Sequence, residues 1–198
     1  MRKQRLEYGF SIMELVVVLA ILVLCVGVAI LSVNQAVRST HIQTAQQMAV
    51  MQLRAARQLA IDQRVVAVVT FTAPRTIHTQ MIKGGVTTTV VDLSLPSDIA
   101  FDAEAGIPNT AATTPDGFGI GKNAIDFDQG FSATPGTLVY FYPDGSAQDA
   151  AGNFNNGVVY IAVPGNLNSS RAVTLFGATG RVRGWQLTST SAGTLLWQ

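Results

Sequence analysis

Three groups of side chains in this sequence have the type and spacing to do chemistry. The first is Glu14, a single carboxylate at the head of an apolar run, 15–31, that contains no charge. In hydrocarbon such a group costs a few kcal/mol unless it meets a partner, so it marks a function rather than a packing choice. The second is Arg181 and Arg183, two residues apart. In an extended segment both point to one face, and with Arg171 on a nearby strand they would form a fork able to grip phosphate. Pairing with the acidic residues between Asp92 and Asp128 is the alternative. The third is Asp144, Asp149 and Asn153, whose oxygens suit a hard cation. Their spacing matches no tight calcium loop, and a solvated turn is the reading preferred over a metal site. His41 and His78 are isolated, and no Gly-x-Ser-x-Gly, phosphate-loop or paired-cysteine metal motif occurs. Neither catalysis nor a cofactor is expected.

The elements that would position these residues follow from periodicity. The run 15–31, extended by 10–13 and 32–33, is long enough to cross a bilayer as a helix. Arg2, Lys3 and Arg5 precede it, which keeps the N-terminus cytoplasmic and sends the remainder across the membrane. A secretory signal peptide would carry its small-x-small cleavage site after the apolar run, whereas here Gly9 lies before it. A lipoprotein signal would place a small residue before its cysteine, but Leu24 precedes Cys25. A plain anchor explains the length and neither the Gly9-Phe10 junction nor Glu14.

Helix should continue through 63, since no proline occurs before Pro74 and 39–63 is rich in Ala, Gln, Met, Leu and Arg. Ile42, Ala45, Ala49, Leu53, Ala56 and Ala60 recur at helical spacing, with Arg54, Arg57 and Gln58 off that narrow stripe. From Arg64 the period becomes that of strands: 65–71, 76–83 and 86–93, the last two joined by a Gly84-Gly85 hairpin turn, then 137–142, 158–163, 171–176 and 182–187. Weaker strand signals lie at 99–101 and 124–127. The loop 102–123, rich in Gly, Pro and Asn, reads equally as a partner-tuned excursion or a tolerated insertion. The fold class is therefore α+β, a long N-terminal hydrophobic helix packed on a C-terminal antiparallel β domain. The segments are the basic N-terminus 1–9, the helix 10–63 with 10–33 as its membrane-spanning part, and an exported β domain 64–198.

Charge and cysteine content narrow the function. The net charge of the 198 residues is +1, and beyond Asn34 ten basic side chains face ten acidic ones, which excludes a strongly basic nucleic-acid domain as a global description. Cys25 is the only cysteine and lies in the apolar run, so the exported part can form no internal disulfide.

Gly9, Phe10 and Glu14, after a short basic leader, make the chain resemble the type IV pilin and pseudopilin superfamily. That resemblance implies a leader at 1–9, a filament core at 10–33, cleavage after Gly9 by a membrane prepilin peptidase, N-methylation of Phe10, and assembly through the hydrophobic helix, with Glu14 neutralising the freed amine of a neighbouring subunit. It also implies a single-pass protein of the bacterial inner membrane with its β domain periplasmic, an inner-membrane assembly platform as a partner, and other pilins as filament neighbours. Family members often carry a proline near the position of Leu31, and many major pilins have a C-terminal disulfide loop; both are absent here. The second half resembles the GspH/FimT branch at Phe141-Tyr142-Pro143-Asp144-Gly145-Ser146, the strand 158–163, Arg171, and Gly180-Arg181-Val182-Arg183. This branch implies a minor subunit of a type II secretion pseudopilus or a type IV pilus. Its FimT-like members use a Gly-Arg-x-Arg motif in DNA uptake, which makes Gly180, Arg181 and Arg183, with Arg171 beside them, candidate DNA-binding residues.

Overall fold

The computed structural model describes residues 11–108, 114–119, 122–128 and 136–198, and of 28–35 the backbone alone. Gly9 and Phe10, the expected processing junction, lie outside the described residues. The chain divides into two compact units, one ending at Arg38 and the other spanning Ser39–Gln198.

Helix α1 runs Ile12–Gln63. Ser11 caps its start, its hydroxyl accepting the Met13 N–H at 3.3 Å, and Glu14 sits in the first turn, where a negative charge complements the helix dipole. At its other end Arg64 adopts a left-handed backbone (φ 52°) and the Val65 N–H reaches back to the Ala60 carbonyl at 3.2 Å, the bond of a Schellman cap. In the first unit the side chains of 12–27 are apolar apart from Glu14 and exposed on every side of the helix, from Ile12 and Met13 to Val26. Among the described residues no helix is long and apolar enough to cross a membrane. Within the expected span 10–33 the side chains are described for 11–27, fewer than the about 20 residues that a hydrocarbon core requires.

Among the described residues the second unit holds eleven short antiparallel strands. They are β1 (Val66–Thr72), β2 (Thr76–Lys83), β3 (Val86–Ser94), β4 (Ala100–Phe101), β5 (Ile125–Asp126), β6 (Leu138–Phe141), β7 (Ala147–Gln148), β8 (Gly157–Ala162), β9 (Arg171–Phe176), β10 (Arg181–Ser189) and β11 (Leu195–Trp197). One sheet has the order β3-β2-β1-β6-β7 and the other β11-β10-β9-β8-β4, with β5 also pairing β8. Gly84 and Gly85 both have positive φ, as a two-residue hairpin turn between Lys83 and Val86 demands.

The stripe Ile42, Ala45, Ala49, Leu53, Ala56 and Ala60 is buried along its whole length. It packs in one core with Ala67, Val69, Phe71, Val139 and Phe141 of the first sheet and Val159, Ile161, Val173 and Leu175 of the second. Strand β8 is buried on both faces, because alternate residues serve different clusters. Val159 and Ile161 face the helix core, whereas Val158 and Tyr160 join Ile107 and Ala172 beneath Phe118, Trp185 and Trp197. The described part of the long loop thus covers one face of the second sheet, a structural duty beyond that of an idle insertion.

Candidate functional site

The two motifs of the second half meet at the helix. Pro143-Asp144-Gly145-Ser146 turns the chain: the Asp144 carboxylate accepts the Ser146 N–H at 2.9 Å and its hydroxyl at 2.7 Å, and Gly145 has φ 81°. These bonds, the side-chain one first, hold the Asp144 pKa below its ordinary value. The Gly145 carbonyl then accepts the Arg57 Nε–H at 3.0 Å. Gly180 lies against the same spot with φ 61°. A Cβ there would run into the Gly145 carbonyl and lie 2.6 Å from Arg57 Nε. Gly180 is thereby required by close backbone approach as well as by its left-handed conformation.

Side chains of α1 also cover the edge of β10. Arg54 donates to the Val182 carbonyl at 3.1 Å, and Gln46 donates to the carbonyls of Trp185 at 2.9 Å and Ala172 at 3.3 Å. Gly184 leaves the room for Gln46, since a Cβ would lie 2.9 Å from its amide nitrogen. Hydrogen bonds from the helix side chains to these strand carbonyls tie α1 to the second sheet.

Arg181 and Arg183 project from β10 to one face, as alternation requires, each about half exposed (49% and 50%). Both meet Asp116, at 3.7 and 3.2 Å. Asp116 belongs to the short 3-10 turn Pro115–Gly117, has φ 52°, and accepts the Thr174 hydroxyl at 2.6 Å. Its carboxylate is only 10% exposed. Thr174 in turn accepts the Trp185 indole N–H at 2.9 Å. The Arg181 guanidinium lies over the Phe176 ring at 5.6 Å and that of Arg183 over Trp185 at 5.9 Å, while Phe118 stacks on Phe176. The arginine pair is therefore a surface fork bedded on aromatic rings and held by one carboxylate. Its exposed ion pairs contribute up to about 1 kcal/mol each, less with salt.

Arg171 does not join that fork. In the β9–β10 ladder it pairs with Gln186, whereas Arg181 pairs with Phe176, so the two lie at opposite ends of the strand pair. Its side chain turns inward instead: Arg171 is buried and donates to the Ser169 and Ser170 carbonyls at 3.2 and 3.1 Å. Burial lowers its pKa from the ordinary value without removing the charge at neutral pH. Arg171 lies on the strand beside β10, as the spacing suggested, but its guanidinium is turned to these carbonyls and away from Arg181 and Arg183.

The oxygens weighed as cation ligands are occupied within their own turns. Asp149 accepts the Ala151 and Asn153 N–H groups, both at 2.8 Å, and the Asn153 side-chain amide at 3.0 Å. The Asn153 amide is the main cause of a lowered Asp149 pKa. His41 and His78 each lie 2.8 Å from an aspartate, Asp98 and Asp92. Periodicity did not mark Asp116, Thr174, Phe176, Trp185 or Gln46, because their roles arise from long-range register. The one local signal was the Pro115-Asp116-Gly117 turn within a Gly-rich loop.

No protein-family model matches the chain, and no curated protein does. Among solved structures, the type IV minor pilin FimU of Pseudomonas aeruginosa (strain PAO1) aligns at 11% identity and a TM-score of 0.46, over 73% of this chain and 87% of that one. A second crystal form of FimU gives 11% and 0.44, over 77% and 95%. The minor pseudopilin EpsH from the Type 2 Secretion System of Vibrio cholerae gives 11% and 0.41, over 80% and 96%.

Proposed function

We propose that this chain is a structural subunit of a pilin-like filament, a minor pilin or pseudopilin of a type IV pilus or a type II secretion pseudopilus. It is inserted in the inner membrane through 10–33, cleaved after Gly9, methylated at Phe10, and assembled with its β domain periplasmic. The observation that carries this reading is the sleeve of exposed apolar side chains on α1 between Ile12 and Val26, interrupted only by Glu14. A helix apolar on all sides must be covered, by lipid before assembly and by sister helices after it. Glu14 distinguishes assembly from simple anchoring. Opposite a cationic amine on a neighbour, two charges that are each costly in hydrocarbon become one pair. Prepilin peptidase and an inner-membrane assembly platform are the other partners of this reading. The test is mass spectrometry of protein purified from its native cells: a mature chain beginning with methylated Phe10 is expected. A chain that still begins at Met1 and never co-purifies with fibre components would overturn it. Glu14→Ala is expected to be processed normally and to be lost from filaments.

A second reading, capture of DNA by a FimT-like minor pilin, is favoured by the half-exposed Arg181 and Arg183 on one face with Phe176 and Trp185 beside them. Affinity that falls steeply with salt and is abolished in Arg181→Gln/Arg183→Gln is the expected signature. No binding at low salt would dispose of it.

A further inference from the structure

A cleft of about 370 Å³ opens between the last turns of α1 and the start of β10, lined by Arg54, Arg57, Gln58, Gly180, Arg181 and Val182. Three of its lining residues are arginines. Arg54 and Arg57 are anchored through backbone carbonyls, those of Val182 and Gly145, and among the described residues neither comes within 4.0 Å of a carboxylate. Among the described residues the one carboxylate that meets any of the three is Asp116, 3.7 Å from Arg181. The charges of Arg54 and Arg57 are thus fixed in place by hydrogen bonds to neutral carbonyls, and only that of Arg181 is partly offset, so the like charges repel one another until an anion enters. Forked N–H donors from several directions match a tetrahedral oxyanion, whose oxygens accept several of them at once. Gly180 keeps the wall between Arg57 and Arg181 free of a side chain.

From this geometry we infer that the cleft binds a phosphate group, with Arg54, Arg57 and Arg181 as its ligands. Its volume leaves room for the sugar of a phosphate ester. The site does not depend on the filament reading, and of its three arginine ligands only Arg181 belongs to the DNA reading. The phosphate can come from a free phosphate ester or from a nucleic-acid backbone.

The experiment uses the full chain in detergent micelles at low salt, titrated first with inorganic phosphate and then with a fluorescein-labelled 20-mer oligothymidylate. Saturable phosphate binding is expected, weakened about tenfold by Arg54→Gln and by Gln58→Glu and strengthened by Gln58→Lys. The opposed Gln58 variants remove no arginine and are read beside thermal unfolding curves, so a change of sign between them is not a folding defect. If the oligonucleotide uses the cleft, Arg54→Gln lowers its salt slope by about one. Phosphate binding that responds to these variants without any oligonucleotide binding supports the site, assigns its phosphate to a free ester, and removes the DNA reading. Failure of phosphate to saturate, or indifference to both Gln58 variants, overturns the inference. Oligonucleotide binding that is lost in Arg183→Gln and unchanged in Arg54→Gln also overturns it, while leaving the DNA reading intact.

Discussion

Gly180 opens the Gly-Arg-Val-Arg motif, yet its own neighbours are the Gly145 carbonyl and the Arg57 side chain rather than solvent. Its identity is explained by docking the β9–β10 turn onto the helix, whatever Arg181 and Arg183 bind. Gly180→Ala combines a left-handed backbone with a clash, and is expected to destabilise the fold by more than about 2 kcal/mol, checked by chemical denaturation. An unchanged midpoint would show that the turn relaxes freely. Asp128 gives a pH-dependent counterpart. Burial first, then the charges of Asp149 and Asp126, raises its pKa above the ordinary carboxylate value. A carboxyl that is harder to ionise when folded favours the folded state at low pH, and that contribution is lost as pH rises through the raised value. Asp128→Asn is therefore expected to stabilise the protein at pH 7 and to do so less at pH 3, read from unfolding curves at both. Equal effects at the two values would refute the assignment.

At the scale of elements, the helical stripe and the longer strands were legible because each repeats a period several times. Ile42 to Ala60 holds its face over five turns, and the alternation of β1 and β2 survives into burial at Ala67, Val69, Phe71, Ile77 and Thr79, whereas β9 is buried on both faces. Strands β7 and β11 were not legible. Two residues, Ala147–Gln148, and three, Leu195–Trp197, carry no period, and both exist through their ladder partners β6 and β10. The candidate site divides in the same way. Arg181 and Arg183 could be placed on a common face from spacing alone. Their counter-ion Asp116, 67 residues from Arg183, and the opposite placement of Arg171 depended on register that no local pattern encodes. The helix stop was legible as a change of period but not in its chemistry, because Arg64 rather than glycine takes the left-handed cap. Arg64→Gly is expected to raise stability by about 0.5–1 kcal/mol, seen as a higher denaturation midpoint with unchanged slope.

At the scale of the molecule, two units with opposite surface chemistry share one helix. In the first, the described side chains of 12–27 are apolar on all sides apart from Glu14, whereas Ser39–Gln198 closes its own core from both sheets. A fragment Ser39–Gln198 is expected to remain soluble without detergent and to unfold in a single cooperative step, while the full chain needs detergent. Aggregation of the fragment, or a broad multi-step transition, would contradict this division. The alanines of the buried stripe carry a further consequence. Ala45, Ala49, Ala56 and Ala60 act as a keyway rather than as filler, because methyl side chains let the helix backbone ride close to the strands. One extra carbon at any of these four positions would lift the rod from its bed and slacken the grip of Gln46, Arg54 and Arg57 on the sheet edge together. The plainest residues of the domain are thus the ones with least freedom to drift.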